Sequence, residues 1–303
     1  MRTPLLRLRV DEAPAEIYLK LENLQPIGSF KIRGAGNAMR SAPREALGRG
    51  VYTASAGNMA QGVAWVAREL GVRCDVFVPD HAPQTKLDAI TRLGGHFHKL
   101  PFAEWWQVLE EHGRPGAEGY FVHPVSDPAV MAGNGTIGLE ILADLPDVDA
   151  VVVPFGGGGL VSGIGSAIRA LKPNAKIYAA EVATAAPLAP SLAAGKPVTV
   201  DYTATFVDGI GSRNVLADMW PVVSSIVDGS IVMPLESVSA AVRLLVERAR
   251  VVAEGAGATS VAAALSGRAG SGKVVCVISG GNIDSSKLAA ILEGGAAIPK
   301  AQW

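Results

Sequence analysis

Cysteine is nearly absent, with Cys74 and Cys276 the only two in 303 residues, too few for a disulfide framework. Both lie in runs that read as strands (74–78 and 274–278), so buried, reduced thiols are expected. An excess of one charge is missing too: Lys plus Arg number 27 against 28 Asp plus Glu. A balanced surface exerts no general pull on nucleic acid or an anionic membrane. No uncharged apolar run approaches the ~18 residues that span a bilayer. The N-terminus carries Arg2, Arg7 and Arg9 without an apolar core, which does not read as a secretory signal. These absences leave a small molecule as the expected partner and the cytoplasm as the expected location.

What is present describes a globular α/β protein. Apolar residues make up 49% and charged residues 18%, and the length suits about two domains. Strand-like and helix-like segments alternate, which predicts mainly parallel sheets. Strand 51–54 leads to a helix with Met59, Val63, Val66 and Leu70 on one face, stopped by Gly71. Strand 74–78, a helix from Pro83 with Leu87, Ile90 and Leu93, strand 96–100, helix 103–112 and strand 120–123 continue the series. A second series runs through strand 151–153, a helix with Leu160, Ile164, Ile168 and Leu171, strand 176–180, helix 235–252 and strand 273–278. Residues 183–230 show no readable pattern, and the Gly/Ala-rich tail 294–303 reads as mobile. No internal repeat is found.

Three strand-to-helix turns share a character: Ser55-Ala56-Gly57-Asn58, Gly156-Gly157-Gly158-Gly159 and Ser279-Gly280-Gly281-Asn282. In parallel sheets such loops converge on the ligand crevice. Consecutive glycines leave N–H groups uncovered at a helix start, which suits a phosphate. The usual nucleotide motifs fail. After Gly156, Val161 or Ser162 stands where a dinucleotide fingerprint needs its third glycine. Glu181 nonetheless follows the next strand as a ribose-binding acid would, so a dinucleotide-binding oxidoreductase stays open as an alternative. Residues 267–273 spell G-x-x-x-x-G-K, but Val274 replaces the hydroxyl and a strand follows where a phosphate loop requires a helix.

Lys31 lies between an extended run (16–22) and a periodic one (Ile32, Ala35, Met39). Burial by Phe30 and Ile32 and the positive end of a helix both disfavour an ammonium there. A neutral amine can attack an aldehyde and later accept a Cα proton. His96 and His98 share a strand face without a Cys or acidic partner at ligand spacing, so a solvated strand is expected. Trp105 and Trp106 read as packing residues.

Taken in order, the segments resemble the fold-type-II pyridoxal-phosphate enzymes of the threonine dehydratase/serine racemase family. They are Thr3-Pro4-Leu5, residues 20–25 (KLENLQ), Ser29-Phe30-Lys31-Ile32-Arg33-Gly34-Ala35, residues 55–62 (SAGNMAQG), residues 154–160 (PFGGGGL), Val207-Asp208-Gly209-Ile210, residues 253–258 (AEGAGA) and residues 279–282 (SGGN). The resemblance implies a tryptophan-synthase-β-like fold of two α/β domains. Residues 1–46 with 125–303 would bind the cofactor, and 47–124 would form a smaller substrate-side domain. It implies pyridoxal 5′-phosphate held as an imine on Lys31, the catalytic residue. Asn58 would bind the cofactor's 3′ oxygen, and Gly156, Gly157, Gly158 and Gly159 its phosphate. Ser279 would face the pyridine nitrogen, with Phe30 and Gly209 beside the ring. Ser55, Ala56, Gly57 and Asn58 would grip the substrate carboxylate. The implied reaction is dehydration of a 3-hydroxy amino acid, threonine or serine foremost, to a 2-oxo acid and ammonia. The alternatives within the class are racemisation and β-replacement.

Several positions depart from the family pattern. Racemases carry a serine where this chain has Ala56, which favours dehydration. Metal-dependent relatives use a glutamate and an aspartate in the segment matching 181–187. Glu181 is present, but Pro187 replaces the aspartate, so a cation site is not expected. Met59 replaces a frequent histidine, and Gly255 a frequent proline. The chain starts almost at its first motif and has no room for a C-terminal regulatory domain, so feedback control through one is not expected. A homodimer or homotetramer is the usual assembly of similar enzymes.

Overall fold

The computed structural model describes residues 1–11 and 13–294; the tail read above as mobile lies outside them from residue 295. Ten strands occur among the described residues: β1 (Leu5–Arg7), β2 (Glu16–Lys20), β3 (Val51–Ala54), β4 (Cys74–Pro79), β5 (His96–Leu100), β6 (Tyr120–Phe121), β7 (Ala150–Pro154), β8 (Lys176–Val182), β9 (Gly229–Met233) and β10 (Lys273–Val277). The helices between them are α1 (Lys31–Ser41), α2 (Arg44–Gly48), α3 (Asn58–Leu70), α4 (Gln84–Arg92), α5 (Phe102–Glu110), α6 (Pro128–Asp144), α7 (Gly159–Leu171), α8 (Leu188–Ala194), α9 (Trp220–Ile226), α10 (Leu235–Leu244), α11 (Gly255–Leu265) and α12 (Ser285–Leu292).

The chain divides into two compact units, one made of Met1–Gly28 and the chain from Gly135 on, the other of Ser29–Asn134. The first contains a six-stranded sheet of order β1-β2-β10-β7-β8-β9, in which only β1 runs antiparallel. β7 is buried along its whole length, as a central parallel strand covered on both faces must be. The second unit contains a four-stranded, all-parallel sheet of order β5-β4-β3-β6. The alternation read from the sequence thus gives the expected mainly parallel α/β fold.

Each sheet has a point where its strand order reverses. From β7 the chain moves outward to β8 and β9, then returns to insert β10 on the other side of β7. From β3 it moves to β4 and β5, then returns to place β6 on the other side of β3. At such points the carboxyl ends of adjacent strands leave a crevice between diverging connections.

The structure differs from the sequence reading in three places. α6 and α11 carry no apolar period, because α11 is buried along all but its last residue and α6 packs glycines against neighbours on more than one side. A Cβ on Gly133 would stand 2.3 Å from the Arg33 carbonyl oxygen, and one on Gly138 2.8 Å from that of Ile164. A helix enclosed on several sides has no polar face to reveal it. The helix expected over 235–252 stops at Leu244, passes through a π-helical turn (Leu245–Ala249) and ends where Arg250 turns left-handed at φ 58°. The strand expected over 120–123 ends at Phe121, because the chain folds back on His123.

Candidate functional site

In the Ser29–Asn134 unit, α1 begins at Lys31, with Phe30 as its N-terminal flanking residue. Phe30 is buried, and the Lys31 Nζ lies 5.2 Å from its ring centroid. The same amine donates a hydrogen bond to the Pro124 carbonyl at 2.8 Å, in the loop that follows β6. Ser55, Ala56 and Gly57 form the loop after β3, and Asn58 is the first residue of α3. These two loops therefore flank the reversal point of this sheet. The Gly57 N–H donates to Ser55 Oγ at 3.2 Å, which turns the loop into the helix. The first-turn N–H groups of α3 have no acceptor within the helix, so this end is suited to a carboxylate. Gly62, one turn along α3 from Asn58, lets the Lys31 backbone approach closely.

In the other unit, the carboxyl ends of β7 and β10 carry the glycine loop and the Ser279 loop side by side. Gly158 flanks α7 in the left-handed region at φ 97°, where a Cβ would also stand 2.8 Å from Val223 Cγ2. Only glycine fits both demands. The helix ladder of α7 opens with the Ser162 N–H donating to the Gly158 carbonyl at 2.9 Å, so the positive end of this helix falls at the glycine loop and suits an anion. A Cβ on Gly156 would lie 3.4 Å from Ile210 Cα, and one on Gly209 3.2 Å from Glu254 Oε1. A Cβ on Gly257 would lie 2.9 Å from the Gly280 carbonyl. The glycine loop, Gly209 and Ser279 are therefore joined through the start of α11.

Ser279 is 3% exposed. Its loop is held from several directions: Ile278 N–H donates to the Lys20 carbonyl at 2.9 Å, Asn23 N–H to the Ile278 carbonyl at 3.0 Å, and Glu254 N–H to the Gly280 carbonyl at 3.0 Å. A neutral hydroxyl and a helix start whose flanking loop, 155–158, has no acidic side chain fit an aromatic nitrogen and a phosphate.

Two features beside the candidate site were not singled out by sequence. Glu254 is 6% exposed and borders Gly209; its motif was recognised, but nothing local marked the carboxylate. The loop after β6, with Pro124, contains no motif, and only the strand order brings it beside the loop after β3.

Glu181, read both as a ribose ligand and as a cation ligand, is engaged internally. Its Oε1 accepts the Leu188 N–H at 2.8 Å, and its Oε2 accepts the Ala189 N–H at 2.9 Å and the Ser230 hydroxyl at 2.5 Å. It thus closes the start of α8. Burial pushes its carboxyl above the ordinary glutamate value, while these three donors pull it back. No cluster of three His, Cys, Asp or Glu able to hold a metal occurs among the described residues. Both cysteines are buried and free. Burial pushes the Cys74 thiol up to about 12 and raises that of Cys276 as well, which makes them inert. His98 contacts Asp75 at 2.7 Å on an exposed strand. Trp105 packs in the small-sheet core and donates to the Phe77 carbonyl at 3.1 Å.

Parallel sheets with donor-rich helix starts at their reversal points define a class of phosphate-bearing-ligand binders. The comparisons with known proteins narrow the class. The family model described as pyridoxal-phosphate dependent enzyme matches residues 1–280, and the chain belongs to that family, with the fold-type-II architecture. It is 46% identical over 287 residues to a protein named L-threonine ammonia-lyase from Geobacter sulfurreducens, spanning 92% of this chain and 70% of that one. Among solved structures it resembles the processed form of threonine deaminase isoform 2 from Solanum lycopersicum, with a TM-score of 0.87 and 34% identity over 98% of this chain and 89% of that chain. It also resembles maize serine racemase, with a TM-score of 0.86 and 33% identity over 97% of this chain and 92% of that chain. Membership of this family sets aside the dinucleotide-binding alternative.

Proposed function

We propose that this chain is a pyridoxal-phosphate-dependent carbon–oxygen lyase. It converts a 3-hydroxy amino acid, L-threonine foremost and L-serine with it, to a 2-oxo acid and ammonia. The observation that carries the reaction type is a neutral serine, Ser279, 3% exposed in the loop after β10 where a carboxylate could otherwise stand. When bound, the cofactor supplies an aldehyde that captures the substrate amine and a ring that draws electron density from Cα. Ser279 offers the ring nitrogen a neutral partner, which cannot sustain a full pyridinium charge as a carboxylate does. That choice favours prompt loss of a β-hydroxyl over a long-lived carbanion.

Lys31 carries the cofactor and, once released, takes the Cα proton as a neutral amine. Its hydrogen bond to Pro124 directs the remaining lone pair. Ser55, Ala56, Gly57 and Asn58, at the positive end of α3, orient the substrate carboxylate. Asn58 also serves the cofactor's 3′ oxygen. Gly156, Gly157, Gly158 and Gly159 hold the phosphate, with Phe30 and Gly209 beside the ring. Similarity to a solved serine racemase raises racemisation as a second reading. Ala56 provides no acid–base group for returning a proton to the opposite face, which places dehydration first. The functional division assigned is 1–46 with 125–303 on the cofactor side and 47–124 on the substrate side. The setting is a homodimer or homotetramer in the cytoplasm; no described helix is long and apolar enough to cross a membrane.

The test is a screen for 2-oxo acid and ammonia release over 3-hydroxy amino acids, beside the visible absorbance of the purified enzyme. Threonine or serine turnover is expected, with absorbance and turnover both lost in Lys31→Ala. A colourless protein that stays inactive with added cofactor rejects the reading.

A further inference from the structure

If Lys31 bears the cofactor, the direction of its Nζ has to be controlled, and the chain does so from outside α1. The Pro124 carbonyl that accepts the amine's hydrogen bond belongs to a residue without an N–H or a polar side chain. Its direction is therefore set by the neighbouring peptide units. His123 sets them. Its Nδ1 accepts the Val125 N–H at 3.1 Å and the Ser126 N–H at 2.8 Å, folding 123–126 back over the imidazole. Its Nε2 meets the Leu109 carbonyl at 3.2 Å, which ties the ring to α5.

The ring itself is firmly held. His123 is 3% exposed, stacks on His112 at 4.5 Å and 16°, and meets Phe121 edge-on at 5.8 Å and 85°. The hydrogen-bond pattern selects a single protonation form. Two N–H donors face Nδ1, so Nδ1 is the acceptor, and the proton sits on Nε2 toward Leu109. The Ser126 hydroxyl, 3.0 Å from Nδ1, can join the same acceptor. Nothing in the sequence reading gave His123 a role.

We propose that His123 is a positioning residue for the Lys31 amine: its neutral ring fixes the Pro124 carbonyl, and that carbonyl holds Nζ in line for proton transfer. The inference rests on the reading of Lys31 given above. It assigns to the loop after β6 the task of orienting the base, while the loop after β3 orients the substrate.

The test compares holoenzymes of wild type, His123→Phe, His123→Asn, His123→Gln and Lys31→Ala. Phenylalanine keeps a ring between His112 and Phe121 but accepts no hydrogen bond. Asparagine places an acceptor near the Nδ1 position, whereas glutamine reaches toward Leu109. The expected result for His123→Phe is a fall in kcat of about ten- to a hundredfold, the effect of misplacing a reacting group. KM for threonine should change by less than about threefold. His123→Asn should recover most of the loss and His123→Gln less. A second readout does not depend on turnover. In cofactor-stripped protein, the acetylation rate of Lys31 by acetic anhydride, followed by peptide mass spectrometry, should shift in His123→Phe and return in His123→Asn.

A wild-type kcat and acetylation rate in His123→Phe overturn the proposal, as does a glutamine variant equal to or better than asparagine. If His123→Phe does not fold, the asparagine–glutamine order decides alone. Lys31→Ala separates the two levels. Retained cofactor absorbance in that variant defeats the reading of Lys31 itself, whereas its loss beside a flat His123 series defeats only the positioning role.

Discussion

Gly62 supports Lys31 from beneath: a Cβ built on it would stand 3.2 Å from both the carbonyl carbon and the carbonyl oxygen of Lys31. The start of α1 thus rests directly on α3, one turn from Asn58. The candidate base and the candidate carboxylate-binding turn are set against each other by the absence of one methyl group.

Gly62→Ala follows from this contact. Alanine is favoured over glycine inside a helix by roughly 1 kcal/mol, so unfolding should shift little in either direction. The Lys31 backbone, however, must yield by a few tenths of an ångström. The expected outcome is a fall in kcat of about tenfold or more with a nearly unchanged thermal midpoint. Unchanged kcat would show that the backbone contact is not functional.

Gly158→Ala combines a left-handed backbone with a Cβ 2.8 Å from Val223 Cγ2. The backbone alone costs about 1–2 kcal/mol, and crowding adds to it. Urea unfolding should register that loss, and equilibrium titration with pyridoxal 5′-phosphate should show weaker binding. The double variant Gly158→Ala/Val223→Ala should regain part of the stability, since only the steric portion is relieved. No recovery would place the whole cost in the backbone.

Lys20 is 0% exposed, and its amine contacts the Thr3 carbonyl at 2.7 Å and Glu140 Oε2 at 2.6 Å. Removing one partner from a fully buried pair costs about 3–5 kcal/mol, an upper limit here because the Glu140 side chain is 17% exposed, whereas replacing both with apolar groups is often neutral. Glu140→Ala should therefore destabilise strongly, and Lys20→Met/Glu140→Leu should recover most of the loss. Chemical denaturation of the three proteins measures this. A double variant no more stable than the single one contradicts the account.

Glu181 gives a pH prediction. Its folded carboxyl is raised above the ordinary glutamate value of 4.5, chiefly by burial. The folded state therefore keeps this proton after the unfolded chain has released it. Ionisation then works against folding, so the group's contribution to stability falls as pH climbs from about 4.5 through the raised folded value, and is level beyond it. The stability difference between wild type and Glu181→Gln should shrink across that window in urea titrations at stepped pH. A difference that grows with pH rejects the sign.

Much of the candidate site is legible in one dimension because its chemistry is local. A lysine at a helix start, a run of four glycines and a serine after a buried strand each sit in a short turn whose backbone demands are set by adjacent residues. Gly71, left-handed at φ 67° after α3, is legible for the same reason. Glu181 was visible as a residue but not in its role, since its three donors come from α8 and β9.

The sequence by itself determined the alternating α/β pattern, the strand-to-helix turns and the residue types able to handle an aldehyde, a phosphate and a ring nitrogen. Those properties depend on period and on neighbours along the chain. Strand order belongs to the tertiary structure alone, since nothing local states that β6 inserts beside β3 or β10 beside β7. That order brings the Pro124 carbonyl to Lys31, lets His123 hold it there, and buries Ser279 beside the end of β7. Helices α6 and α11 also needed the fold, because enclosure on several sides erases the polar face from which a helix is read.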